Sequence, residues 1–297
     1  MSSTRSVRPV VSVTVVVSIP SSSRNQGRDQ HSYRPVMDVV SLAWQTDLAL
    51  LAAGGSEVEH HPTYVVVRTP DAPGRRWGNF LLLRRRPLNR DLETVRAVFR
   101  RHFPDAAHEA YGIDDPEGRA DDLHLFRSAG FTTGCSVTLT TEEPLVEGHR
   151  RTPAVVRPLE SDSDWEQRIR LSLAGDLHPD PVYLDFLRTR AKADRCQTAV
   201  GGRWFGAFED DQLVGALGVL PAGAGLVRCQ EIPPPRRMRG RGVEQALMHV
   251  AADYAQRELG TRRLVIVAEP DYPQLEVYRS LGFRDAGLQL QAERQAA

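Results

Sequence analysis

A six-residue block occurs twice in this chain, as Phe126-Arg-Ser-Ala-Gly-Phe131 and as Tyr278-Arg-Ser-Leu-Gly-Phe283. Four of the six residues are identical, and the two copies lie 152 residues apart. A spacing of this size matches one domain and is far longer than the repeats of solenoid proteins. The repeat therefore predicts two related domains in tandem. The copies differ at one position that matters for chemistry, because Tyr278 carries a phenol and Phe126 does not.

The same spacing aligns a helix in each half and shows that the segments before the two helices differ. Residues 91–103 fall on residues 243–255 without a gap, and both stretches carry apolar residues at three- and four-residue steps, which indicates an amphipathic helix. The second helix follows Arg239-Gly240-Arg241-Gly242, whereas Pro87-Leu88-Asn89-Arg90 precedes the first. The glycine-bearing turn is therefore predicted in the second half alone.

Composition argues against several classes of function. Lysine and arginine total 38, as do aspartate and glutamate, so no overall basic charge predicts binding to nucleic acid or to an anionic membrane. No apolar run reaches the roughly 18 residues that span a bilayer. The three widely spaced cysteines, Cys135, Cys196 and Cys229, favour neither a disulfide framework nor a zinc site and suit a reducing compartment. We therefore expect a cytoplasmic protein without a metal site, a nucleic-acid partner or a membrane partner.

The first 36 residues differ from the rest in being rich in serine, arginine and valine. Arg5 and Arg8 precede a short apolar stretch, residues 9–19, but no convincing signal-peptide cleavage site follows it. We predict that residues 1–36 form a disordered tail, or that Met37 is the native start. In the second case the intact mass of the protein purified from its own host lacks these residues, and a full-length mass would contradict it.

Periodicity predicts alternating helices and strands in each half. In the first half, the predicted helices span residues 38–52, 91–102 and 121–129, and the predicted strands span residues 63–68, 77–83, 107–112 and 134–140. In the second half, the predicted helices span residues 162–173, 181–190, 243–259 and 274–281, and the predicted strands span residues 154–157, 204–208, 213–220, 226–232, 263–268 and 287–291. The polar segment 141–152 is the predicted linker. The continuous apolar run 264–268 indicates a strand that is buried on both faces.

The glycine turn is typical of a phosphate-binding site. Glycines let the backbone approach an anion closely, the first N–H groups of the helix point toward it, and Arg239 and Arg241 add positive charge. A dinucleotide fingerprint needs a third glycine where this chain has Gln245, and a P-loop needs a Gly-Lys-Ser/Thr ending that is absent. The turn therefore predicts a pyrophosphate site of another kind.

These features together resemble the GNAT superfamily of N-acetyltransferases. The resemblance rests on Arg239-Gly240-Arg241-Gly242-Val243, the helix after it, the strand 264–267, and Tyr278 with Gly282-Phe283. The family's acetyl-CoA motif, Gln/Arg-x-x-Gly-x-Gly/Ala, fits in two registers. One begins at Arg239 and puts Glu244 in the last Gly/Ala place, and the other runs from Arg237 to Gly242.

The resemblance implies an α/β fold with two tandem GNAT-like domains, each a mixed central sheet flanked by helices. Residues 37–148 are then a degenerate GNAT-like domain, and residues 152–297 are the domain that binds acetyl-CoA. The backbone N–H groups from Arg239 to Glu244, including those of Gly240, Arg241, Gly242 and Val243, would hold the CoA pyrophosphate. Ile232, at the end of the preceding strand, would contact the acetyl-pantetheine arm. Tyr278 would be the general acid for the departing thiolate.

Glu231 lies at the end of the same strand. Its carboxylate could take a proton from the ammonium form of an amine, or it could be a strand-end charge facing solvent. Cys229 is two residues earlier, but no histidine is positioned to activate it, so direct attack by the amine is the better interpretation. Six residues near the two helices that cover the acceptor site in this family are either acceptor contacts or helix caps and solvated charges: Asp162, Asp164, Asp176, His178, Asp180 and Asp185.

The sequence thus predicts transfer of an acetyl group from acetyl-CoA to a primary amine of a small molecule or peptide. A catalytically inert CoA-binding or scaffold module is the alternative, and nucleic-acid binding is a weaker third. The acceptor, the acyl chain length and the oligomeric state stay open.

Overall fold

The computed structural model describes residues 39–88, 91–147, 152–173, 181–223 and 225–295. Within these ranges, eleven strands form one continuous sheet and helices flank it. The predicted tail, residues 1–36, and the proposed start at Met37 lie outside the described residues.

The helices and strands alternate along both halves. The first half consists of α1 (Leu42–Ala53), β1 (Glu57–His60), β2 (Tyr64–Arg68), β3 (Phe80–Leu83), α2 (Leu92–His102), β4 (His108–Ile113), α3 (His124–Ser128) and β5 (Thr132–Thr141). The second half consists of β6 (Val155–Pro158), α4 (Asp162–Ser172), α5 (Pro181–Cys196), β7 (Arg203–Glu209), β8 (Gln212–Pro221), β9 (Leu226–Ile232), α6 (Val243–Glu258), β10 (Arg263–Ala268), α7 (Leu275–Ser280) and β11 (Arg284–Gln295).

Most predicted elements agree with the structure to within a few residues, and the differences have physical reasons. The sequence did not predict β1, because its residues are polar and largely exposed at the edge of the sheet. The predicted strand at 77–83 begins as a short 3₁₀ turn, Arg76–Gly78, before β3. α5 continues to Cys196, and β11 is 12 residues long where five were predicted, because its polar residues hide the strand pattern.

The two halves exchange their last strands. The sheet order is β1-β2-β3-β4-β11-β5-β10-β9-β8-β7-β6. Thus β11, the last strand of the second half, pairs with β4 through Leu290 and Ile113, and β5 of the first half pairs with β10 through Thr140 and Val265. β5 and β11 also pair with each other. The fold prediction is confirmed, and the sheets of the two halves are joined into one.

The repeated block forms the same turn in both halves. α3 and α7 are each followed, two residues after their last residue, by a glycine with positive φ, Gly130 at 82° and Gly282 at 103°. The N–H of the next residue donates to the carbonyl of the aromatic residue that begins the block, at 3.0 Å to Phe126 and 3.2 Å to Tyr278. This hydrogen bond is characteristic of a helix that ends in a left-handed glycine, so the repeat encodes one helix-to-strand turn used twice.

A buried ion pair connects α1 of the first half to the sheet of the second. The Asp47 carboxylate lies 3.1 Å from the guanidinium of Arg228 on β9, and both side chains are 3% exposed. Arg228 also donates to Thr46, and Gln289 of β11 donates to Asp47. Removing one partner of a buried pair leaves an uncompensated charge, so these contacts fix α1 of the first half against β9 and β11 of the second.

Candidate active site

An opening in the sheet lies between β9 and β10. These parallel strands pair only as far as Arg228 and Val265, after which β9 stays with β8 and β10 stays with β5. The corresponding strands of the first half, β3 and β4, remain paired to their last residues, Leu83 and Ile113. Glu231 and Ile232 are the last residues of β9 and lie at the open end.

The glycine turn leads into α6 beside this opening. Gly240 and Gly242 have φ values of 71° and 80°, and Gly242 is the N-cap of the helix that begins at Val243. The N–H groups of the first helical turn have no acceptor within the helix. Gly215 of β8 lets that turn lie close to the sheet, because a Cβ at Gly215 would be 2.8 Å from a methyl carbon of Val243. This geometry suits an anion held by backbone N–H groups.

The charged side chains of the turn have different surroundings. Arg241 is ion-paired with Glu209 at the end of β7, at 3.2 Å. Arg239 is exposed, and its charge lowers the pKa of Glu231. Glu244 is buried, and its charge acts in the opposite direction on Glu231. Arg239 is therefore the cation of the turn that acts on Glu231.

Glu231 accepts hydrogen bonds from two tyrosines. The hydroxyl of Tyr272 donates to Glu231 Oε2 at 2.7 Å, and the hydroxyl of Tyr278 donates to the same oxygen. Tyr278 is 1% exposed, whereas Glu231 and Tyr272 are half-buried. The structure thus brings together the two residues that the sequence predicts to be catalytic.

Tyr272 was missed by the sequence analysis. It lies in the loop between β10 and α7 and belongs to no motif, and the repeat does not mark it. Its contact with Glu231 depends on the conformation of that loop, and no local sequence pattern predicts this conformation.

Burial and hydrogen bonding set the protonation of this trio. Burial raises the pKa of Glu231 to about 7, against the opposing effect of the two phenol donors. Burial, followed by the negative charge of Glu231, raises the pKa of Tyr278 well above its ordinary value. Near neutral pH the carboxyl group is therefore poised between its two forms, and the phenol keeps its proton.

Cys229 is unsuited to nucleophilic catalysis. It is 3% exposed within the apolar core, and burial raises the pKa of its thiol to about 12. The thiolate is the nucleophilic form of cysteine, so this side chain stays neutral and inert.

Of the six predicted candidates near α4 and α5, the three that are described serve as caps and ion pairs. Asp164 accepts from the backbone N–H of Ser161, at 3.1 Å, and pairs with Arg157. Asp162 pairs with Arg195, and Asp185 pairs with Arg188. Asp176, His178 and Asp180 lie outside the described residues.

No group of three or more metal-binding side chains occurs among the described residues. None of the helices described is both long and apolar enough to cross a membrane.

Comparison with known proteins relates part of the second half to one family. Residues 172–283 match the family model described as "Acetyltransferase (GNAT) family". No curated protein matches the chain.

Three solved structures share the fold at low sequence identity. A GCN5-related N-acetyltransferase from Kribbella flavida is 12% identical, with 85% of this chain and 96% of that chain covered and a TM-score of 0.56. A GCN5-related N-acetyltransferase from Sphaerobacter thermophilus is 17% identical, with 78% and 80% covered and a TM-score of 0.54. A tandem GNAT protein from the clavulanic acid biosynthesis pathway is 15% identical, with 87% and 93% covered and a TM-score of 0.52. Residues 172–283 therefore belong to a GNAT acetyltransferase domain, within a chain that has the fold of a tandem GNAT protein.

Proposed function

We propose that the second half transfers an acetyl group from acetyl-CoA to a primary amine. The observation that carries this proposal is the pair of phenol hydrogen bonds to Glu231, at the open end of β9 and beside the glycine turn. Acyl transfer to an amine needs a base for the ammonium proton and an acid for the leaving thiolate. Glu231 and Tyr278 can supply these two roles at one place.

The backbone from Arg239 to Glu244 is the proposed binding site for the CoA pyrophosphate. The two left-handed glycines, Gly240 and Gly242, bring the backbone close to the anion, and the first N–H groups of α6 donate to it. Glu244 opposes an anion by its charge, so only its backbone N–H would contribute. Ile232, at the end of β9, would contact the acetyl-pantetheine arm through its backbone.

Proton transfer would pass along the hydrogen bond between Tyr278 and Glu231. Glu231 takes a proton from the amine, whose lone pair then attacks the thioester carbonyl carbon. As the carbon–sulfur bond breaks, Tyr278 gives its proton to the thiolate. The phenol recovers a proton from protonated Glu231, which it already contacts. The amine nitrogen, now bonded to the acetyl group, releases its remaining excess proton to solvent as the amide forms, so charges and protons balance.

The contact between the two groups makes the steps depend on each other. Negative Glu231 raises the pKa of Tyr278 and so makes it a poor acid. Once Glu231 has accepted a proton, that charge is gone and the phenol becomes a better donor. Proton uptake from the amine thus prepares the release of the thiolate.

Titration with acetyl-CoA, followed by a free-thiol assay with a panel of amines, tests the proposal. We expect one acetyl-CoA per chain, because the opening and the glycine turn described here belong to the second half. Binding together with amine-dependent thiol release supports the enzyme. Binding without release by any amine would support the inert module, and two equivalents per chain would contradict a degenerate first half.

A second test uses the pH dependence of Glu231. With a pKa of about 7, Glu231 is protonated below neutrality and becomes an active base as pH rises. We expect kcat/KM to rise with pH up to about 7 and then to level off, and Glu231→Gln to lower it roughly 10²- to 10⁴-fold.

The amine titrates as well, so the ratio of wild type to variant at each pH isolates Glu231. Glu276→Gln is the matched control, since Glu276 lies on α7 and its side chain is 82% exposed. A ratio that does not change with pH would remove Glu231 from the role of base.

A further inference from the structure

The face of β9 that points away from Glu231 carries a different set of polar groups. Side chains alternate along a strand, so Arg228 and Gln230 share a face while Glu231 lies on the other. Arg190 of α5 donates to the side-chain oxygen of Gln230 at 3.4 Å. α5 thus reaches the end of β9 on the side opposite α6.

Arg190 belongs to a buried cluster in which two guanidinium groups share one carboxylate. Arg168 of α4 is hydrogen-bonded to Asp194 of α5, and Arg190 Nε lies 3.6 Å from the same carboxylate oxygen. The side chains of Asp194, Arg168 and Arg190 are 1%, 3% and 12% exposed. This cluster of three described side chains therefore carries one positive charge in excess, away from water, where an additional anion is favoured.

The first half adds positive charge to the same region. Burial lowers the pKa of Arg190 to about 10, and the charges of Arg168 and Arg75 contribute to this lowering. Arg75 comes from the segment before β3. The charge of Asp47 acts on Arg75, and Asp47 is also ion-paired with Arg228 of β9. Charged groups of both halves therefore meet at the junction between the two halves.

We propose, on the basis of the proposed function, that the acceptor is a small amine that also carries a carboxylate, which binds Arg190 on the α5 side of the opening. Gln230 and Glu231 are consecutive residues whose side chains lie on opposite faces of β9, and they mark the two ends of the path. A molecule with its amine at Glu231 and its carboxylate at Arg190 therefore passes between β9 and β10, and a chain of several bonds separates its two charged groups. An amino acid has this chemistry.

Matched pairs of amines, each amino acid beside its own amide, test the assignment. Glycine, β-alanine and 4-aminobutyrate would each be assayed against the corresponding amide by free-thiol release. We expect wild type to prefer the carboxylates in kcat/KM. Arg190→Gln should lower that preference roughly 10- to 100-fold, the usual value of one charge-assisted hydrogen bond. The loss should appear in KM for the carboxylates, and the amides should be unaffected.

The variant should fold, because Asp194 keeps its bond to Arg168, and its melting temperature checks this. Arg188→Gln is the matched control, since Arg188 lies on the same helix with its side chain 57% exposed and pairs with Asp185. Arg190→Lys should retain part of the preference, because it keeps the charge and loses the planar fork.

Calorimetry with an N-acetyl amino acid and with its amide, in the presence of CoA, separates this inference from the proposed function. One outcome is that binding depends on the carboxylate and is abolished by Arg190→Gln, while no amine is turned over. This outcome would support the anion site and overturn the proposed enzyme activity. Turnover with no difference between acids and amides, or an unchanged preference in Arg190→Gln, would overturn the inference alone. Preference for phosphoethanolamine over every amino acid would overturn the assignment of a carboxylate, and neither turnover nor binding would overturn both proposals.

Discussion

Replacing Tyr278 by phenylalanine should lower turnover roughly 10²- to 10⁴-fold, the usual contribution of general acid catalysis. The change removes one oxygen and keeps the ring, and the chain itself has Phe126 at the matching place, where it is equally buried. Packing should therefore survive. Affinity for acetyl-CoA should change little, because the glycine turn is untouched. Free-thiol release at saturating amine and acetyl-CoA measures the effect.

Tyr272→Phe is the matched control for this experiment. It removes a phenol that donates to the same oxygen of Glu231, but it leaves the proposed acid in place. We expect a much smaller loss of turnover than for Tyr278→Phe. Equal losses would mean that the phenols matter only as partners of Glu231. Unchanged thiol release by Tyr278→Phe, with chemistry shown to be rate-limiting, would remove Tyr278 from the mechanism.

Gly242→Val should weaken acetyl-CoA binding roughly 100-fold or more, equivalent to the loss of at least one charge-assisted hydrogen bond to the pyrophosphate. Gly242 has a φ of 80°, which a β-branched residue adopts only under strain. The added side chain would also keep an anion away from the first N–H groups of α6. Calorimetric titration with acetyl-CoA gives the change directly.

Gly260→Val separates this effect from general damage to the helix. Gly260 follows the other end of α6 with a φ of 67°, and no heavy atom lies within 4 Å of an added Cβ. Its substitution carries a similar backbone strain far from the turn. Wild-type affinity in Gly260→Val and lost affinity in Gly242→Val would support the phosphate site. Equal losses in both variants, or wild-type affinity in Gly242→Val, would contradict it.

The parts of the structure that follow from local sequence were predictable. The repeated block reports a helix that ends in a left-handed glycine, and that turn forms at both Gly130 and Gly282. The glycines before Val243 mark the start of α6. Tyr278 and Glu231 were identified from their places relative to these landmarks, and the structure brings them into contact. Their catalytic roles and those of the binding residues stay predictions.

The parts that depend on long-range pairing were not predictable. No local sequence pattern shows that β11 pairs with β4 rather than with a strand of its own half, because the residue pattern of a strand does not specify which strand it pairs with. The same holds for Tyr272, a loop residue without a motif, and for Arg190. A buried arginine and an exposed one look alike in a sequence, and only the fold shows that Arg190 shares Asp194 with Arg168.

The exchange of β5 and β11 has a consequence for synthesis. The first half emerges from the ribosome long before Leu290, the residue that pairs with Ile113 of β4, has been synthesised. Until then β4 has an open edge, which is a site for mispairing with other chains. The sheet of the first half therefore stays incomplete until β11, the last strand, has been synthesised. The nascent chain must remain partly unfolded while the intervening segments emerge. A premature stop after α7 would thus damage the half that was translated first as well as the half that was cut short.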